Sequence, residues 1–80
     1  MSDRPGKEIP KEFREVVADQ VEALGWRYDA SRKGHPMLYP ADRSLGGRAV
    51  PTTPSDVRGW RNFVAWVRRS GGEWPPRRRR

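Results

Sequence analysis

The 80-residue chain has no cysteine and only one histidine. These shortages exclude disulfides, thiol catalysis and cysteine-ligated zinc, and one histidine cannot build a histidine-rich metal site. No cofactor is expected. Long apolar runs are missing too: no window approaches the ~18 apolar residues of a membrane span, and Met1–Glu8 lacks the apolar stretch of a signal peptide. The expectation is a cytoplasmic protein with no membrane partner. Enzyme signatures are equally scarce. There is no phosphate loop and no Gly-x-Ser-x-Gly elbow, and Ser31, Ser44 and the aspartates have no spacing that argues a triad.

What is present is charge, unevenly placed. The formal net charge is +7. Residues 1–25 hold four basic and six acidic side chains, whereas residues 26–80 hold thirteen basic and four acidic. Net charge is thus −2 in the first stretch and +9 in the second. A surface of that kind is rewarded by a polyanion, because neutralising phosphates releases counterions; a merely soluble basic protein is the plainer alternative. A single domain of this size buries only about 60% of the surface its unfolded chain exposes, so a homodimer or a protein partner would help it.

The order of elements follows from periodicity. Residues 1–9 read as a flexible N-terminal segment, and Pro10 as a first-turn helix residue, where its missing N–H is harmless. Phe13, Val16, Val17, Val21 and Leu24 then recur at helical spacing, and Gly25 suits the position just past a helix end. Glu12, Glu15, Asp19 and Glu22 make an acidic stripe nearly opposite, read as a solvated face or, less simply, a protein-docking one. Trp26–Ala30 alternates as a strand, Ser31–Gly34 reads as a turn, and His35–Tyr39 as the returning strand. By alternation His35 shares a face with Met37 and Tyr39, and Pro36 shares one with Leu38. Since proline cannot donate to a ladder, pairing should begin after Pro36.

Pro40–Gly47 is turn-rich, and Arg48–Val50 is a short third strand. Thr53 as N-cap and Pro54 at the first helical position announce a second helix, with Asp56 favoured by its dipole. Val57, Trp60, Phe63, Val64 and Val67 share its apolar face, and Arg58, Arg61, Asn62, Arg68 and Arg69 lie on the far side. Gly71-Gly72 ends it. Residues 73–80 read as an extended or disordered Pro/Arg-rich tail that raises affinity for nucleic acid without sequence preference; Trp74 in it either packs on the core or stacks on a base. The fold class is α+β: a two-layer sandwich, α-β-β-β-α, with a three-stranded antiparallel sheet and both helices on one face, spanning residues 10–72.

Three features together carry a family resemblance: the glycine before Trp26-Arg27, Lys33-Gly34-His35 at a hairpin, and Thr53-Pro54-Ser55-Asp56 leading into an arginine-rich helix. Over roughly residues 12–72 the chain resembles HicA-type toxins, particularly small actinobacterial and phage relatives. The resemblance implies a double-stranded-RNA-binding-domain-like fold and a metal-independent mRNA interferase (an endoribonuclease), with a cognate antitoxin covering the active surface. By position His35 would be the catalytic histidine, flanked by Lys33 and Gly34. Here glycine meets histidine directly and Pro36 follows, where the commoner family pattern places a serine between the two.

The residues support such chemistry on their own terms. RNA cleavage without a metal uses the ribose 2′-OH as nucleophile and needs a base, an acid and positive charge at the phosphorane. Histidine is the one side chain type whose unperturbed pKa lies near neutrality, so His35 could move the proton. Lys33 and Arg32 could neutralise the phosphate, Gly34 would let an RNA backbone approach closely, and Arg58 and Arg61 could hold further phosphates. The alternatives are a strand-edge His35 in a solvated turn and a non-catalytic module that binds nucleic acid or a host protein.

Overall fold

The helical periodicity around Phe13 is realised as α1, Lys11–Leu24, in a computed structural model that describes residues 4–30, 35–53 and 57–76. Pro10 lies one position earlier than expected, at the N-cap with extended backbone, and its carbonyl accepts the Arg14 N–H at 3.0 Å. The helix closes on Gly25, whose φ of 76° is left-handed, and the Trp26 N–H reaches back to the Gln20 carbonyl.

Three short strands follow: β1 (Arg27–Asp29), β2 (Met37–Tyr39) and β3 (Arg48–Ala49). They form one antiparallel sheet in the order β1-β2-β3. Tyr28 pairs with Leu38, and Leu38 with Arg48. The second helix, α2, spans Val57–Arg69. The architecture is therefore the expected α-β-β-β-α sandwich with a three-stranded sheet. Ladder pairing starts after Pro36, as proline's missing N–H requires, although the Pro36 carbonyl still accepts the Val50 N–H at 2.8 Å. The expected turn Ser31–Gly34 and the expected helix opening Pro54–Asp56 lie outside the described residues.

Alternation decides which sheet face is covered. Tyr28, Leu38 and Val50 are buried and join Phe13, Val16, Val17, Phe63 and Val67 in one cluster, so both helices pack on that face. Phe13 meets Phe63 and Trp60 edge-on, with ring centroids 5.2 and 5.4 Å apart, an arrangement the ring quadrupoles favour. On the other face lie Arg27, Asp29, Met37 and Tyr39, all half-buried, and the exposed Ala49.

Several expectations need correction. Val57 is 65% exposed rather than part of the α2 core face. Trp66 stands against Trp26 at 5.6 Å and 82°; taking its ring inward rotates the buried stripe away from Val57. Asp19 is 3% exposed, not solvated; it lies beside Gln20, whose amide nitrogen is 3.4 Å from its Oδ2. Ile9, assigned to the free N-terminal segment, belongs to the core. Its carbonyl accepts a bond from Arg14 Nε at 3.0 Å, and its N–H reaches the Gly6 carbonyl.

The largest departure is the segment after α2, read as extended or disordered. Its described part, to Pro76, is fastened down. The side-chain amide of Gln20, fully buried, donates to the Glu73 carbonyl at 2.8 Å and accepts the Glu73 N–H at 2.9 Å. Trp74 packs against the core, as the sequence favoured. Its carbonyl accepts both Arg68 Nε at 2.8 Å and Nη2 at 2.6 Å. The reversal at the end of α2 makes this docking attainable: Gly71, at φ 91°, donates to Arg68, and Gly72 to Val67, the pairing of a Schellman end. A Cβ on Gly72 would stand 2.5 Å from Val67 Cγ1, 2.7 Å from Gln20 Oε1 and 2.9 Å from Trp26 Cζ2, so no larger residue fits.

Replacing the clamp should show its contribution directly. Gln20→Leu removes both bonds that the amide makes to the part-buried Glu73 peptide, and is expected to lower stability by about 2–3 kcal/mol in urea titrations. A midpoint unchanged from wild type would show that the Glu73 peptide is satisfied equally well by water.

Candidate nucleic-acid interface

His35 is exposed, two residues before β2 begins. The bond from Val50 to the Pro36 carbonyl fixes the backbone directly after it. By alternation it lies on the sheet face of Met37 and Tyr39, away from the helices. Arg32, Lys33 and Gly34, the cationic and glycine partners expected for it, lie outside the described residues.

Arg58 and Arg61 are exposed on α2, where with Val57 and Asn62 they line an open depression of about 480 Å³. Arg69 is exposed further along the helix. None of these three arginines is paired among the described residues. Arg68, grouped with them by spacing, is committed elsewhere, since two of its nitrogens hold the Trp74 carbonyl. His35 does not line the arginine depression. It sits at the entry to the central strand of the sheet layer, while Arg58 and Arg61 are exposed on the helical layer.

A second cationic placement was not foreseen. Arg27 lies directly opposite Tyr39 in the β1–β2 register. Its guanidinium carbon sits 5.3 Å from the centroid of the tyrosine ring, on the open face and on His35's side of the sheet. The sequence carries the alternation in each strand, but not their register. Seven residues separate Asp29 from its partner Met37, too many for turn chemistry to fix which side chains meet. Arg48, opposite Leu38 on the helix side, leans over Trp66 at 5.9 Å instead.

Two carboxylates are held below their ordinary range. For Glu8, burial alone would push the carboxyl up, but hydrogen bonds from Tyr28, from its own backbone and from Gly6, with Arg14 nearby, outweigh it. The Tyr28 hydroxyl donates to Glu8 Oε2 at 2.7 Å. Asp42 is lowered by the Ser44 hydroxyl and then the Ser44 amide, which donate to its Oδ1 at 2.7 and 2.9 Å. This Asx turn shapes the connection between β2 and β3.

Among the described residues no three His, Asp or Glu side chains converge as a metal site would need, and no helix there is long and apolar enough to cross a membrane. Comparison with known proteins gave no matching family model, no matching curated protein and no matching solved structure.

The Glu8 bond predicts an acid limb of stability. A carboxylate whose folded pKa lies below its unfolded value contributes stability above the unfolded pKa, and that contribution is lost as pH falls through the folded one. Glu8→Gln should therefore melt below wild type at about pH 7, and the gap should close by about pH 3. An equal gap at both values in thermal scans would rule out this linkage.

Proposed function

We propose that the protein is an RNA-binding endoribonuclease of the HicA-like class, working without a metal, with His35 as its general acid/base. The observation that carries this reading is the exposure of His35 just before the central strand β2, on a backbone fixed by the Val50–Pro36 bond. An imidazole there can be reached by a docked phosphodiester, which a core histidine could not be. The exposed arginines Arg58 and Arg61 supply a phosphate-attracting surface on a chain with net charge +7. Arg32, Lys33 and Gly34 are the remaining RNA-contacting residues of the proposal, and a cognate antitoxin would be its natural regulator.

In the proposed reaction His35 takes the proton of a ribose 2′-OH as O2′ bonds to phosphorus. The bond from phosphorus to O5′ breaks, and a proton returns to the leaving oxygen. The products are a 2′,3′-cyclic phosphate and a 5′-hydroxyl. One imidazole serves as base or acid at a given moment, so water supplies the other role, and turnover is slow for an enzyme of this chemistry.

That His35 does not line the arginine depression favours a second reading, in which the fold binds nucleic acid or a host protein without cutting. Incubating RNA in EDTA with wild type and with His35→Ala separates the two. The proposal expects cleavage by wild type, at least about 100-fold slower cleavage by the variant, and RNA affinities within about threefold of each other. RNA left intact by the wild-type protein would discard catalysis and leave the binding module.

A further inference from the structure

The sequence pairs His35 with arginines that the fold places in another layer. The face to which His35 itself belongs carries a different cation. Arg27 and Tyr39 lie across from each other on the sheet surface that the helices leave uncovered. Tyr39 is itself seated on backbone: a Cβ at Gly47 would stand 2.5 Å from its Cδ1 and 2.6 Å from its Cε1. Gly47 thus packs closely against the tyrosine ring, and the guanidinium lies over that ring. A ring floored by glycine cannot rotate far, and the arginine laid over it loses much of the rotameric freedom that an exposed arginine keeps. No described residue takes the hydrogen-bond donors of that guanidinium.

The spacing on this face is also informative. Tyr39 is four residues from His35 along β2 and its lead-in, which is about 13 Å at strand rise. That is a few nucleotides of a stacked single strand. Met37, half-buried, lies between the two ends with Ala49 beside it, offering apolar contact. Asp29, opposite Met37, lies at the middle of the face. A planar guanidinium can serve both as a bidentate phosphate ligand and as a surface on which an unpaired base stacks. Duplex RNA keeps its bases stacked internally and offers none to such a platform.

We infer that the open face of the sheet is a track for single-stranded RNA, with Arg27, seated on Tyr39, as its phosphate and base anchor a few nucleotides from His35. The inference rests on the RNA reading above and names its substrate class. Single-stranded substrate also suits the chemistry, because the attacking 2′ oxygen must swing into line with the leaving oxygen, which a flexible strand permits.

The test is fluorescence anisotropy with a single-stranded 2′-O-methyl oligonucleotide of about twelve nucleotides, which lacks the nucleophile, and with a duplex of the same sequence. Arg27→Gln should bind the single strand roughly three- to tenfold more weakly, with the log–log salt slope reduced by about one, and bind the duplex as wild type does. Arg27→Lys should restore the slope but only part of the affinity, and Tyr39→Leu should weaken binding with the slope intact. An Arg27→Gln slope and affinity equal to wild type would overturn the track while leaving an RNA-binding protein in place. Equal weakening on both probes would overturn the single-strand preference. Failure of the wild-type protein to bind either probe would remove the RNA reading itself. Should Arg27→Gln prove unfolded by circular dichroism, the Arg27→Lys and Tyr39→Leu slopes decide the matter alone.

Discussion

Among the described residues only eight lie in strands, and that scarcity governs the arrangement of everything else. With side chains alternating across so small a surface, only Tyr28, Leu38 and the flanking Val50 can supply an apolar face. Both helices must bury their stripes against that one side. Phe13, Phe63 and the tryptophans fill the space between the layers, since large aromatic rings cover much area with few residues. The opposite face is consequently left with Arg27, Asp29, Met37 and Tyr39, and whatever the protein recognises there meets a fixed, shallow surface.

A core this thin gains from being closed at its edges, and polar contacts close it. At one edge the Tyr28 hydroxyl reaches Glu8, drawing the chain before α1 inward with Ile9. At another, Gln20 and Arg68 hold the chain after α2. The bonds of Tyr28 to Glu8 and of Gln20 to Glu73 join residues 20 and 53 positions apart, so neither partner is given by local spacing. Fold order, the two apolar helix faces and the alternation of β2 were legible because each rests on local spacing. One trace of the clamp was available: position 20 falls within the helical series Phe13, Val17 and Leu24, where an apolar residue would be expected. A glutamine in that series signals a buried amide with a dedicated partner.

The candidate site was legible in a similarly divided way. The exposure of His35 accords with its place just outside the ladder, and the outward placement of Arg58 and Arg61 followed from helical spacing. The assignment of Arg68 to the same surface failed because a partner six residues later takes up its nitrogens. Arg27 went unnoticed because its meeting with Tyr39 depends on cross-strand register, which the residues between Asp29 and Met37 conceal. Charge counting finds cations, but only coordinates distinguish those with idle donors from those already holding the fold together.

The Gln20 carboxamide presents one donor and one acceptor in a plane, as a peptide group does, so it reads a stretch of main chain much as a neighbouring strand would. Gly72 beside it passes through a gap that admits no side chain. Together they act as a pawl and a notch: shifting the chain back by a single residue would drive the Glu73 side chain into the gap meant for glycine. A shift either way would break the paired bonds of Gln20 to the Glu73 peptide. A helix side chain thereby sets the alignment of the final segment to one residue, with no added strand.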